Sequence, residues 1–113
     1  MEIVYTSQNG SKYSLDSEGR VLRNGDLFPH KDPRFKYAGI IDAELVWELL
    51  NGHKEEEWAS LLYQAAVEER TIIIMPVPFQ DVGDYIDGRI ALACFSEKLE
   101  RIVCTSPLVK KEN

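Results

Sequence analysis

The run Thr71-Ile72-Ile73-Ile74-Met75-Pro76-Val77-Pro78-Phe79 constrains the fold of this chain more than any other stretch. Consecutive β-branched residues favour an extended backbone. They do not alternate with polar residues, so the run predicts a central strand over 71–75 that is buried on both faces. Pro76 and Pro78 each lack a backbone donor, so regular pairing is expected to stop near Met75. The remainder, ending at Phe79, reads as a stiff wall that can face a ligand or a partner.

On either side of this run the pattern changes character. Residues 2–28 predict a β-meander. Asn9-Gly10 lies between Ile3-Val4-Tyr5-Thr6 and Lys12-Tyr13-Ser14-Leu15, a strong hairpin signal. Asp16-Ser17-Glu18-Gly19 and Asn24-Gly25 supply two further turns. Leu15, Val21 and Phe28 are the candidate core positions. Residues 29–39, with Pro29 and Pro33, read as a loop in which Arg34, Phe35, Lys36 and Tyr37 interleave charge with aromatic rings. That loop is either a crossover or the lip of a pocket.

A helix pair is predicted over 42–69. Asp42 is a suitable N-cap and Gly52 a suitable C′ residue for the first helix. Its apolar face is Leu45, Val46, Leu49 and Leu50, with Trp47 to one side. The second helix is predicted from about Lys54 to Glu69, with Trp58, Leu61, Leu62 and Ala65 at helical spacing. Tyr63, Ala66 and Val67 widen its apolar arc, which predicts that it lies between two layers, or between one layer and a second subunit. Glu55-Glu56-Glu57 suits the positive end of that helix, and is also a candidate acidic docking patch.

A second strand group is predicted over 71–105. Arg89–Phe95 and Glu100–Thr105 read as a hairpin. A helix over 91–101 is the rival, since Leu92, Phe95, Leu99 and Ile102 also recur at helical spacing; the β-prone Ile102-Val103 favours strands. Residues 106–113, with Lys110-Lys111-Glu112-Asn113, read as a frayed tail. The expectation is a single α+β domain over 1–113: an N-terminal antiparallel β-meander, two central helices, and C-terminal antiparallel strands.

Composition narrows the function classes. A chain of 113 residues with 44% apolar and 28% charged residues is an ordinary globular domain, able to bury a core without metals or disulfides. Its net charge of −6 argues against bulk nucleic acid and anionic membranes as partners. The start Met1-Glu2-Ile3 is acidic where a signal peptide would be basic, and no apolar run is long enough to span a bilayer. Cys94 and Cys104 then read as free thiols in a reducing cytoplasm.

No HExxH, CxxC, GxSxG or phosphate-loop motif occurs, and His30 and His53 each stand alone. A Cys104–His53 pair would have to assemble in space. Asp81, Asp84 and Asp87 match no calcium-loop spacing and serve equally as turn caps. No catalytic residue, metal site or cofactor is therefore assigned.

Three readings remain: two binding functions, and a small enzyme or a structural subunit of a larger assembly. The first is capture of a small anionic ligand, such as a signalling nucleotide, by Phe79, Arg89, Arg34, Lys36 and Phe35. Aromatic faces and guanidinium groups are what a base and its phosphates require. The element order and length resemble phage Thoeris anti-defence sponge proteins of the first type. That resemblance spans the whole chain at the level of topology. It implies a homo-oligomer that sequesters a cyclic ADP-ribose-type signal without cleaving it, in pockets between subunits. The second function is inhibition by direct protein contact. There the acidic segments 55–57 and 81–87 would meet a basic protein surface, with Trp47 or Trp58 as anchor.

Overall fold

The computed structural model describes residues 3–29, 32–68, 72–74, 86–96, 98 and 100–112, with backbone alone for Lys36 and Tyr37. Four short strands open the chain: β1 (Val4–Ser7), β2 (Lys12–Leu15), β3 (Val21–Arg23) and β4 (Asp26–Phe28). The turn between β3 and β4 has φ of 51° at Asn24 and 91° at Gly25, the left-handed pair that a two-residue hairpin demands. Then come β5 (Phe35–Asp42), α1 (Ala43–Leu50), α2 (Glu55–Val67), β6 (Ile90–Ser96), β7 (Ile102–Cys104) and β8 (Leu108–Glu112). The architecture is thus α+β, with N-terminal antiparallel strands, two helices and C-terminal antiparallel strands.

All eight strands join one antiparallel sheet in the order β4-β3-β2-β1-β8-β6-β5, with β7 also paired to β6. The sheet curls until β3 lies beside β5. One core fills the curl and draws on both halves of the chain, with Tyr5, Tyr13, Val21, Phe28, Leu92 and Leu108 among its members. A second core lies on the other face of β5 and β6. There Ile41, Ala91, Ala93 and Phe95 meet Val46 and Leu50 of α1 and Ala59, Leu62 and Ala65 of α2.

Three expectations are corrected. Residues 72–74 have no strand pairing, and Ile73 is 61% exposed; the rest of the 71–79 run, with its proline wall, lies outside the described residues. The strand buried on both faces is instead β6. Leu92 and Cys94 point into the curl, while Ala91, Ala93 and Phe95 point to the helices. Ala91 and Ala93 are small enough to let the helices approach, whereas Ile72, Ile73 and Ile74 have no strand neighbour among the described residues to pair with.

The predicted loop over 29–39 yields β5, the longest strand among the described residues. Its register against β6 shifts between Phe35 and Tyr37. The irregularity explains why Phe35 shares the inner core with Ala38 and Ile40: an extra residue reverses the parity of the strand and hides its alternation. The predicted tail contains β8, which pairs with β1 from Val4↔Glu112 to Ser7↔Leu108, and with β6 at Ile90↔Leu108. Helix α2 is covered along the stripe Ala59, Leu62 and Ala65, while Tyr63 and Val67 stand 60% and 63% exposed; among the described residues the sheet is the one layer that covers it, and a second subunit is the other cover expected.

The remaining local signals act where they stand in the sequence. The Asp42 carboxylate accepts a hydrogen bond from Leu45 N at 3.2 Å and caps α1. No helix among the described residues is long and apolar enough to cross a membrane.

Candidate functional site: a two-tryptophan cleft beside an acidic helical layer

Helix α1 stops where Asn51 N–H donates to Trp47 O at 3.1 Å and Gly52 adopts a φ of 84°. The left-handed glycine turns the chain sharply, and His53 N–H donates back to Leu50 O. This turn sets His53 and then Trp58, in the first part of α2, beside Trp47. The Trp58 indole N–H donates to His53 O at 3.3 Å, which fixes the ring edge and leaves its face for contact. His53 Nδ1 lies 3.1 Å from Glu57 Oε2.

Opposite these residues, β7 gives way to β8 at Thr105. Leu92 N–H donates to Thr105 Oγ1 at 3.0 Å, and Thr105 N–H donates to Leu92 O at 2.9 Å. A side-chain hydroxyl therefore takes the place of a ladder carbonyl at the bend. Between the bend and the helix turn lies a cleft of about 380 Å³. Its helical wall is Val46, Trp47, Leu50 and Trp58; its sheet wall is Ala91, Cys104, Thr105 and Ser106. An apolar and aromatic lining with a few polar groups is the usual make-up of a ligand site. Among the described residues, lysine, arginine, aspartate and glutamate are all absent from the lining.

Outside the cleft the helical layer is acidic. Glu44, Glu48, Glu55, Glu56, Glu57 and Glu68 are exposed, and neither α1 nor α2 contains a lysine or arginine. Among them stand Trp47, 67% exposed, and the exposed Tyr63 and Val67. Glu55 pairs with Arg101 at 3.0 Å and Glu57 with His53.

The ligand residues expected from the sequence do not meet in one place. Phe79 lies outside the described residues, and the side chain of Lys36 is not described. Arg34 and Phe35 stand at the start of β5, opposite Ser96, the last residue of β6. Arg89 precedes β6, and its carbonyl accepts from Ala43 N at 2.7 Å, so it sits at the far end of the same strand pair. Six residues of strand separate the two ends, about 20 Å. Phe35 is 3% exposed in the inner core, so its ring is not free to stack on a base.

Arg34 does border a second cleft, of about 220 Å³, with Phe35, Ser96, Lys98, Glu100 and Arg101. Three cations there would suit an anion. However, Arg34 Nη2 is already 2.7 Å from Asp32 Oδ2. Hydrogen bonds from the Arg34 side chain and backbone hold the Asp32 carboxyl down at about 2. Arg101 is bound to Glu55, and Glu100 joins the lining. Among the described residues, Lys98 has no ionic partner.

Cys104 and His53 do line the same cleft, but no hydrogen bond joins them, and the thiol is poorly suited to attack. Burial pushes the Cys104 pKa up to about 12, and burial pushes that of Cys94 higher still. Cys94 pairs across the ladder with Val103, whereas Cys104 pairs with Ala93. The two thiols therefore project from opposite faces, which forbids a disulfide between them. Alkylation with iodoacetamide at mildly alkaline pH is expected to leave Cys94 unmodified in the folded protein and to label Cys104 slowly. Both should react fully once denatured, as counted by intact mass. Among the described residues no three metal-ligating side chains gather; Asp81 and Asp84 lie outside them, and Asp87 is exposed.

The cleft escaped sequence reading because its walls come from residues 43–58 and 91–106. The one signal for it was the wide apolar arc marked by Trp47 and Trp58. Comparison with protein-family models, with curated proteins and with solved structures finds no match to this chain.

Proposed function

We propose that this chain is a non-enzymatic binding protein that acts as an inhibitor by direct contact with a basic protein surface. The observation that carries this reading is the chemistry of the helical layer. Its exposed side presents glutamates without a single helical lysine or arginine, interrupted by Trp47, Tyr63 and Val67. Acidic rims steer and select a cationic partner, while exposed aromatic and aliphatic side chains supply the contact energy. An apolar patch among charges is also what a free monomer avoids unless a partner uses it. An immunity or anti-defence inhibitor has this design.

Affinity capture with the wild-type chain tests the reading beside the triple variant Glu44→Lys, Glu48→Lys, Glu56→Lys. A specific basic partner is expected to be retained by the wild type and lost by the variant. It should also be released near about 1 M salt, where screening shortens the reach of charge to about 3 Å. Capture indifferent to both salt and charge reversal would overturn the reading.

A second reading is sequestration of a small (cyclic) nucleotide signal in a homo-oligomer, as the resemblance to Thoeris anti-defence sponge proteins implies. Arg34, Lys98 and Arg101 around one cleft favour it. The carboxylates already bound to Arg34 and Arg101 weigh against it, since a phosphate would have to displace them. Calorimetric titration with a nucleotide panel decides: heat that disappears in Arg101→Ala, Lys98→Ala supports it, and absence of heat removes it.

A further inference from the structure

We propose that the two-tryptophan cleft receives an arginine side chain of the basic partner, its guanidinium stacked on an indole face. The inference rests on the docking reading above and adds what the deepest contact would be. Three independent features select a cation. Trp47 and Trp58 both line the cleft, and indole faces attract a guanidinium through their negative quadrupole. The last residues of α1 also line it, and that helix has no basic residue in its last turn, so no charged side chain within the helix offsets the negative end of its dipole. Among the described residues the lining contains no lysine or arginine to repel the guest, and the charged side chains within α1 and α2 are glutamates, the exposed Lys54 standing just before α2.

Arginine suits the cleft better than lysine. Its planar head stacks on an aromatic face and is weakly hydrated, so it loses less on leaving water. On the opposite wall Thr105 Oγ1 already accepts from Leu92 N–H and Ser106 Oγ from the Asn9 amide, so among the described lining residues the Asn51 side chain offers the acceptor for a guanidinium N–H. Trp58 is held by its bond to His53 O, so one aromatic wall is ordered before any guest arrives.

The test uses the folded chain labelled with nitrogen-15. The sequence has two tryptophans, so two indole N–H signals report on the cleft. N-acetyl-arginine methylamide is titrated against its neutral isostere, N-acetyl-citrulline methylamide. The arginine probe is expected to shift both indole signals saturably, with citrulline at least about five-fold weaker. Trp47→Leu should weaken the arginine probe by about five-fold, whereas Tyr63→Leu, outside the cleft, should leave it unchanged. Equal response to both probes, or no response to arginine, overturns the inference. If the indoles stay silent while capture of a partner still depends on salt and on Glu44, Glu48 and Glu56, the docking reading stands and the arginine cleft alone falls.

Discussion

Deletion of residues 108–113 is expected to abolish the cooperatively folded state. Strand β8 is the seam between the N-terminal meander and the helix-bearing half: it pairs with β1 along four positions and touches β6 at Ile90. Leu108, at this junction, has no exposed surface and sits in the core that both halves share. Without β8, strand β1 loses its second neighbour and the curl opens along its middle. A domain of this size holds about 5–15 kcal/mol of net stability, too little to survive the loss of an interior strand. The single change Leu108→Asp tests the same claim without shortening the chain. It places a carboxylate where no water reaches, and a buried unpaired charge costs several kcal/mol. Val109→Asp is the control. Its side chain is 43% exposed on the opposite side of the strand, so the change should shift stability by less than about 0.5 kcal/mol. Urea denaturation followed by tryptophan fluorescence would separate the two. Equal stability of Leu108→Asp and Val109→Asp would refute the seam.

Leu62→Ala is expected to lose about 2–5 kcal/mol, while its neighbour Tyr63→Ala loses less than about 0.5 kcal/mol. Leu62 is 1% exposed and lies against β5 and β6 with Ala59 and Ala65, so truncation leaves a cavity that the surrounding alanines are too small to fill. Tyr63 stands on the open side. The contrast has a functional corollary: Tyr63→Ala is expected to weaken partner capture while leaving the denaturation midpoint almost unmoved. If Tyr63→Ala unfolds the chain as readily as Leu62→Ala, the outer side of α2 is part of a core and the docking surface must lie elsewhere.

Local chemistry was legible in the chain itself. Asn24-Gly25 makes its turn because two successive left-handed residues admit few alternatives. Asp42 caps α1 because an aspartate before an amphipathic run has a free backbone N–H within reach. Alternation and helical spacing were enough for the fold class, since each compares a residue only with near neighbours. The errors share a different origin. Strand β5 was missed because an irregularity at its start reverses which side its residues face. Strand β8 was missed because Leu108 is the one fully buried residue of its five, so Lys110 and Lys111 look like a tail. The three isoleucines misled because an extended preference becomes a strand only when a neighbour offers hydrogen bonds.

Sequence by itself determined the turns, the caps, the two helices and an acidic helical surface. Tertiary structure alone decided that Trp47, Trp58, Cys104 and Thr105 enclose one cleft, that Arg34 and Arg89 are far apart, and that Cys94 and Cys104 never face each other. The reason is that a cleft belongs to pairs of residues some fifty positions apart. Their meeting is set by strand register and by the curl of the sheet, which no short window of sequence contains.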